Sequence, residues 1–181
     1  MPQFVVLLRG VNVGKGNRVP MAEFRGLLEA QGFAEVRTLL NSGNALFASP
    51  GRSAEKHART IGACLHEELG LTLDVVVKSS SEFLAAVSEN TIAPREEDYS
   101  RFLVAFSQDP RRIQDLESLL RPLVRPPERL VVGSHAAYLH CAEGILESRA
   151  AVALLGKPGR GVTTRNWATV LNLGSLLSCR N

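Results

Sequence analysis

The strongest constraint on this chain is the order in which its hydrophobic periodicities follow one another over residues 1–78. Phe4-Val-Val-Leu-Leu8 is an unbroken apolar run of strand length that opens into a Gly/Asn-rich stretch, the pattern of a buried strand leaving into a loop. Pro20 stands where a first-turn proline belongs, and Met21, Phe24, Leu27, Leu28 and Gln31 repeat at helical spacing up to the stop at Gly32. Val36 to Leu40 predicts a strand. Asn41-Ser-Gly-Asn44 predicts a turn in which Gly43 can take a positive φ, and Ala45 to Ala48 the returning arm of a hairpin. A helix follows Ser53, with Ala58, Ile61, Leu65 and Leu69 on one face and Gly70 as its stop, and Leu73 to Lys78 predicts a fourth strand. The order is β-α-β-β-α-β, the split βαβ of a ferredoxin-like fold.

Ser79-Ser-Ser-Glu82 is a capping box that opens a helix through Phe83, Leu84 and Val87. Residues 90–100, with Pro94 and the acids Glu96, Glu97 and Asp98, read as a solvated connector. The pattern then restarts. Arg101 to Ser107 alternates as a strand, Asp109-Pro110 supplies an N-cap and a first-turn proline, and Ile113, Leu116, Leu119 and Leu120 form the apolar face of a helix. Strands at Glu128 to Val132 and Ala136 to Cys141 flank the turn Gly133-Ser134. A helix from Ile145 to Leu155, a glycine-rich loop and a last helix beginning at Thr164 complete the chain. The expected fold is α/β (α+β) in two subdomains. Residues 1–78 form a ferredoxin-like βαββαβ unit, 79–100 a helix and linker, and 101–181 a second α/β unit of related βαββαα order.

Composition narrows the functional classes. No apolar run approaches a membrane span, and Met1-Pro2-Gln3 has no basic region ahead of an apolar stretch, so neither a membrane partner nor a signal peptide is expected. The three cysteines, Cys64, Cys141 and Cys179, have neither metal-ligand spacing nor the even count of a disulfide framework, which points to reduced cytoplasm. A net charge of +3 is too small to imply nucleic acid by itself. Its distribution is uneven, however. Residues 1–22 carry Arg9, Lys15 and Arg18 and no acid, and residues 148–181 carry Arg149, Lys157, Arg160, Arg165 and Arg180 and no acid. Such asymmetry marks either an anion-facing surface or ordinary solvated faces.

Three segments concentrate polar donors. The loop Arg9-Gly-Val-Asn-Val-Gly-Lys-Gly-Asn-Arg18 lies between a strand and a helix, where glycines let backbone approach a phosphate. It is not a Walker A loop, because three residues rather than four separate Gly10 from Gly14, and Gly16 rather than Ser or Thr follows Lys15. Its bland alternative is a solvent loop that needs glycine for its turns. Asn41-Ser-Gly-Asn44, by itself a common tight turn, gains interest from topology. In a split βαβ unit the first and third strands are antiparallel neighbours, so this turn should meet Arg9 to Asn12 at one sheet edge. In the third segment, Gly161 to Leu171, Thr163 or Thr164 suits an N-cap, which would put Arg165 and Asn166 in a helical first turn against the dipole preference for acids. Trp167 fits packing on Val170 and Leu171 better than base stacking.

Catalytic sets are weak. His57 and His66 are nine positions apart on one helix, His135 and His140 point to opposite faces of a strand, and His140 and Cys141 diverge as strand neighbours. Ser42 and Ser148 have no identifiable base, and no metal or cofactor motif is present.

Three strings together, Leu7-Leu-Arg-Gly-Val-Asn-Val-Gly14 through Val19-Pro-Met-Ala22, Asn41-Ser-Gly-Asn44 and Thr163-Thr-Arg-Asn-Trp-Ala-Thr-Val-Leu171, resemble the bacterial domain-of-unknown-function family numbered 1697. The resemblance spans essentially the whole chain. It implies a two-subdomain α/β architecture with a ferredoxin-like part and implies no activity. Glu143-Gly-Ile-Leu-Glu-Ser-Arg149 is similar to the family's Gly-Ile-x-x-Ser-Lys string, with Arg149 in place of the lysine.

The leading functional expectation is a site for a phosphate-bearing, nucleotide-like small molecule. It would be built from Arg9, Asn12, Lys15, Asn17, Ser42, Asn44, Thr164, Arg165 and Asn166, with arginines clamping oxygens and asparagines fixing orientation. If the protein is an enzyme, transferase or hydrolase chemistry would follow. One alternative is nucleic-acid binding by a sheet face, although the two central strands of the first unit offer only Phe4 and Phe47 for stacking. The other is a non-catalytic module for a protein partner.

Overall fold

In the computed structural model, which describes residues 1–179, the apolar run Phe4 to Leu8 lies within β1 (Gln3–Leu8), and all five side chains are buried. Burial on both faces explains why the run does not alternate. The chain divides into two compact units, Met1–Ser81 and Glu82–Asn181.

In the first unit β1 is followed by α1 (Met21–Ala30), the hairpin of β2 (Ala34–Leu39) and β3 (Asn44–Ala48), α2 (Ala54–Leu69) and β4 (Val75–Ser79). The sheet is antiparallel in the order β2-β3-β1-β4, so the first and third strands are central. Phe4, Val6 and Leu8 alternate onto the face shared with Phe24 and Leu28 of α1 and with Ala58, Ile61 and Leu65 of α2. Ser53 Oγ accepts the Lys56 N–H at 3.1 Å to open α2, and Gly70 closes it in the left-handed conformation. The fourth strand starts two residues later than its apolar pattern. Leu71 and Leu73 pack against the core outside the ladder, and pairing with β1 begins at Leu8–Val75.

The second unit repeats this topology. After α3 (Ser80–Ser88) and a 3-10 turn at Glu96–Arg101 come β5 (Phe102–Ser107), α4 (Pro110–Leu120), β6 (Arg129–Val132), β7 (Ala137–His140), α5 (Arg149–Leu155), β8 (Val162–Asn166) and α6 (Trp167–Ser178). Its sheet order is β6-β7-β5-β8, again antiparallel. Two mixed α+β subdomains are the fold class the periodicities predict; the fourth strand of the second is an addition to them. The structure corrects the segment 162–166, expected as a loop and the start of the last helix. The β-branched Val162, Thr163 and Thr164 extend as an edge strand along β5, from Ser107–Val162 to Leu103–Asn166. Asn166, not Thr163 or Thr164, caps the final helix, its Oδ1 accepting the Thr169 N–H at 2.9 Å. Similarly, α5 starts at Arg149 rather than Ile145, because Ser148 Oγ takes the Ala151 N–H at 3.0 Å as its cap.

One face of the second sheet, with Leu103 and Ala105, packs on Ile113, Leu116 and Leu120 of α4 and on Ala150, Ala151 and Leu154 of α5. On the other face Phe106 stacks on Phe83 of α3 at 5.3 Å, and Phe102 meets Trp167 of α6 edge-on at 5.5 Å. Trp167 therefore packs, with Phe102 of the sheet as its ring partner. Glu89, just past α3, ties that helix to the β6–β7 hairpin. Its carboxylate accepts the N–H groups of Ser134 (3.1 Å), His135 (2.9 Å) and Ala136 (3.0 Å) and the Tyr138 hydroxyl (2.9 Å). Among the described residues no helix is long and apolar enough to cross a membrane.

Candidate functional site at the first loop

Strand pairing places the two polar turns of the first unit together. Leu7 pairs with Asn44, and the Leu8 N–H donates to the Gly43 carbonyl at 2.9 Å. Gly43 is required there, since its φ is +78° and a Cβ would stand 2.6 Å from Val11 Cγ2 and 2.8 Å from Leu8 Cβ. Across this contact Asn12 Nδ2 donates to the Asn41 carbonyl at 2.7 Å and to the Val19 carbonyl at 2.8 Å. Asn12 Oδ1 accepts the Val19 N–H at 3.0 Å, and the Asn12 N–H donates to the Asn17 carbonyl at 2.7 Å. Both amide hydrogens of Asn12 are thus engaged inside the protein. Asn44 is buried and behaves likewise, with Nδ2 donating to the Leu39 carbonyl at 3.0 Å and to Ser42 Oγ at 2.9 Å. Asn12 thus fixes the loop to the hairpin, and Asn44 fixes the hairpin turn itself.

The loop that Asn12 holds turns sharply through positive φ at Gly10, Asn12 and Gly14. Lys15, Asn17 and Arg18 are exposed on it, and Arg18 Nη2 donates to the Gly14 carbonyl at 3.0 Å. Arg9 is half-buried at the base of the loop, where its N–H donates to the Asp74 carbonyl at 3.0 Å. The result is a braced, acid-free loop that carries four of the expected polar side chains and Arg18.

Thr164, Arg165 and Asn166 belong to β8 of the second unit. Arg165 was expected in a helical first turn; it lies instead opposite Val104 in the ladder, 8% exposed, so the conflict with the helix dipole disappears. Its Nη1 donates to Thr163 Oγ1 at 2.8 Å and to the Thr164 carbonyl at 2.7 Å. Burial pulls its pKa down to about 10, so it stays charged at neutral pH. Asn166 is engaged as the helix cap. Arg180, the last of the C-terminal cations, lies outside the described residues.

One polar cluster of the second unit is absent from the sequence reading. Asp98, expected in a solvated connector, is buried, and its Oδ1 accepts from Arg101 Nε at 2.8 Å and also from Arg101 Nη2. His140 Nε2 lies 3.5 Å from Asp98 Oδ2, with both side chains about nine-tenths buried, and neither ring nitrogen of His140 makes a hydrogen bond within the described residues. The Arg101 hydrogen bond holds the Asp98 carboxyl below its usual range, and burial holds the His140 imidazole below its own. The spacing of Asp98 and Arg101, three apart and directly before a strand, was the available signal; the run of acids masked it. No group of three or more His, Cys, Asp or Glu among the described residues is arranged to hold a metal ion.

The aromatics that base stacking would need are not on an open face. Phe4 and Phe47 stack on each other at 5.3 Å inside the helix-covered core, beside His57.

Fold and loop together define a two-unit α+β protein, each unit a four-stranded antiparallel sheet of ferredoxin-like order, with a braced basic loop in the first. The chain belongs to the family described as "Protein of unknown function (DUF1697)", which matches residues 1–138. It is similar to the conserved bacterial protein SP0830 from Streptococcus pneumoniae, at 26% identity over 97% of this chain and 98% of that one, with a TM-score of 0.80. No curated protein matches the sequence.

Proposed function

We propose that the loop Arg9 to Arg18 binds a phosphate-bearing small molecule of nucleotide-like chemistry. The observation that carries this reading is a division of labour within the loop. Asn12 braces it against the Val19 backbone and the Asn41 carbonyl, and Asn44 holds the adjoining turn, while Lys15, Asn17 and Arg18 stand in solvent without an acid in the first 22 residues. A rigid loop that presents cations and glycine backbone loses little freedom on meeting an anion. Arg9 at its base and Ser42 on the adjoining turn complete the rim. Thr164, Arg165 and Asn166 contribute to their own strand and helix, so the proposed site rests on the first unit. Should phosphate chemistry occur there, transfer or hydrolysis, it would be electrostatic in character. A cytoplasmic setting fits the three free cysteines.

Thermal unfolding of the full chain with nucleotides, sugar phosphates and polyphosphate tests the reading. At least one of these should raise the melting temperature of the wild type and raise it less in Arg9→Ala and in Lys15→Ala. If no member of the panel separates wild type from these variants, the site is elsewhere.

A further inference from the structure

The second unit has an apolar hollow that the loop site does not explain. A groove of about 530 Å³ is lined by Leu123, Leu146, Val152 and Pro158 together with the charged pair Glu147 and Arg149. Large exposed hydrophobic side chains are few among the described residues, yet two of them, Leu146 and Val152, line this groove together, and Leu146 is 88% exposed. Single exposed apolar residues are ordinary, but a cluster in a concavity marks a binding surface. The wall is also preformed. The turn Lys157–Gly159 packs so tightly on the end of α5 that a Cβ on Gly159 would run into the Leu154 carbonyl.

Charge selects the occupant. Arg149 lines the groove, Lys157 sits between the lining residues Gly156 and Pro158, and Arg160 follows on a backbone held by Arg112 Nη2 at 2.6 Å. All three cations are exposed, and no carboxylate of the described residues pairs with them. Against these three cations stands one acid between residues 144 and 161, Glu147, which also lines the groove. A second copy docked face to face would set these cations against their own images. A nucleic acid would find cations but no aromatic ring in the lining on which to stack.

We propose that this groove docks an acidic segment of a partner protein, with a leucine-sized side chain filling the hollow and flanking carboxylates meeting Arg149 and Lys157. The apolar anchor supplies most of the affinity, and the cationic edge supplies register and discrimination against basic segments.

A displayed library of short random peptides, selected on the full chain, tests this without presupposing a sequence. Enriched peptides should carry Asp or Glu around Leu, Ile, Met or Phe. By fluorescence anisotropy they should bind Val152→Asp and the lip variant Leu146→Asp roughly tenfold or more weakly, the scale of losing an anchor. They should bind Arg149→Glu less well, with the difference shrinking as salt rises. Circular dichroism and melting temperature identify any variant that fails to fold, and the exposed Leu146 site keeps the test decisive if Val152→Asp does not. Enrichment of basic peptides, no enrichment, or equal binding by the folded groove variants would overturn the proposal. So would a dimer in sedimentation that Leu146→Asp dissociates, or cosedimentation with phosphatidylcholine–phosphatidylserine vesicles by a chain that selects no peptide.

Discussion

A single asparagine side chain braces the first loop, and its loss has a measurable consequence. Asn12 makes three side-chain hydrogen bonds, two of them to the Val19 backbone and one to the Asn41 carbonyl. Asn12→Ala leaves those backbone groups without their partner and adds strain at a φ of +56°; it should destabilise the protein by about 1–3 kcal/mol, read as a shift in urea midpoint. The residue type was legible, since asparagine is among the few side chains that accept a positive φ. Its role was not, because an amide facing a ligand and an amide facing a neighbouring turn are identical in sequence. His140 makes the same point through pH. Burial is the main influence that lowers its pKa, opposed by the Asp98 carboxylate and reinforced by Arg129 and Arg101. The folded imidazole therefore stays neutral while the unfolded one takes a proton below about pH 6.5. Its contribution is complete above that value and declines as pH falls. Asp98 titrates lower still. In urea titrations from about pH 7 to pH 5, stability should fall more steeply in wild type than in His140→Phe, and parallel slopes would remove His140 from the explanation.

Among the elements, those with strong local signals appear where their patterns place them. Ser53 and Gly70 bracket α2, and Asp109 and Pro110 open α4, because cap and stop depend on neighbours within one helical turn. The segment 162–166 was illegible for the opposite reason. Its threonines serve equally as helix caps or strand residues, and the choice is made by the free edge of β5, about sixty positions distant in the chain. Asp98 was hidden in the same way, since three adjacent acids look solvated until the fold turns one inward. Glu89 is a further non-local device, holding three successive N–H groups of a hairpin about 45 positions away. A Cβ on Gly133 would strike this carboxylate, so a larger residue there would have to displace the clamp. Glu89→Ala should cost about 2–3 kcal/mol, because it strands those three donors, while the Tyr138 hydroxyl keeps the Ala86 carbonyl. Hydrogen exchange should then quicken at residues 134–136 ahead of the β5–β8 ladder; uniform loss of protection would show that the clamp is not local.

At the level of the whole molecule, a ligand that binds only the folded chain stabilises all of it by mass action. A phosphate compound at about a hundred times its dissociation constant should add about 2.7 kcal/mol, and an exposed cationic loop requires that gain to shrink with added salt. Calorimetry at two ionic strengths measures both; a gain indifferent to salt would point away from Lys15 and Arg18. The sequence by itself determined the two-unit α+β class, the split βαβ order of the first unit and the meeting of Arg9 to Asn12 with Asn41 to Asn44. Periodicity of burial and the geometry of antiparallel neighbours are enough for each of these. Only the tertiary structure decided that Asn12 and Asn44 brace rather than reach outward, that Thr164 to Asn166 complete a second sheet, and that Asp98 and His140 are buried together. Those outcomes depend on which backbone groups and sheet edges remain unsatisfied after folding, a quantity distributed over distant residues and written in no local pattern.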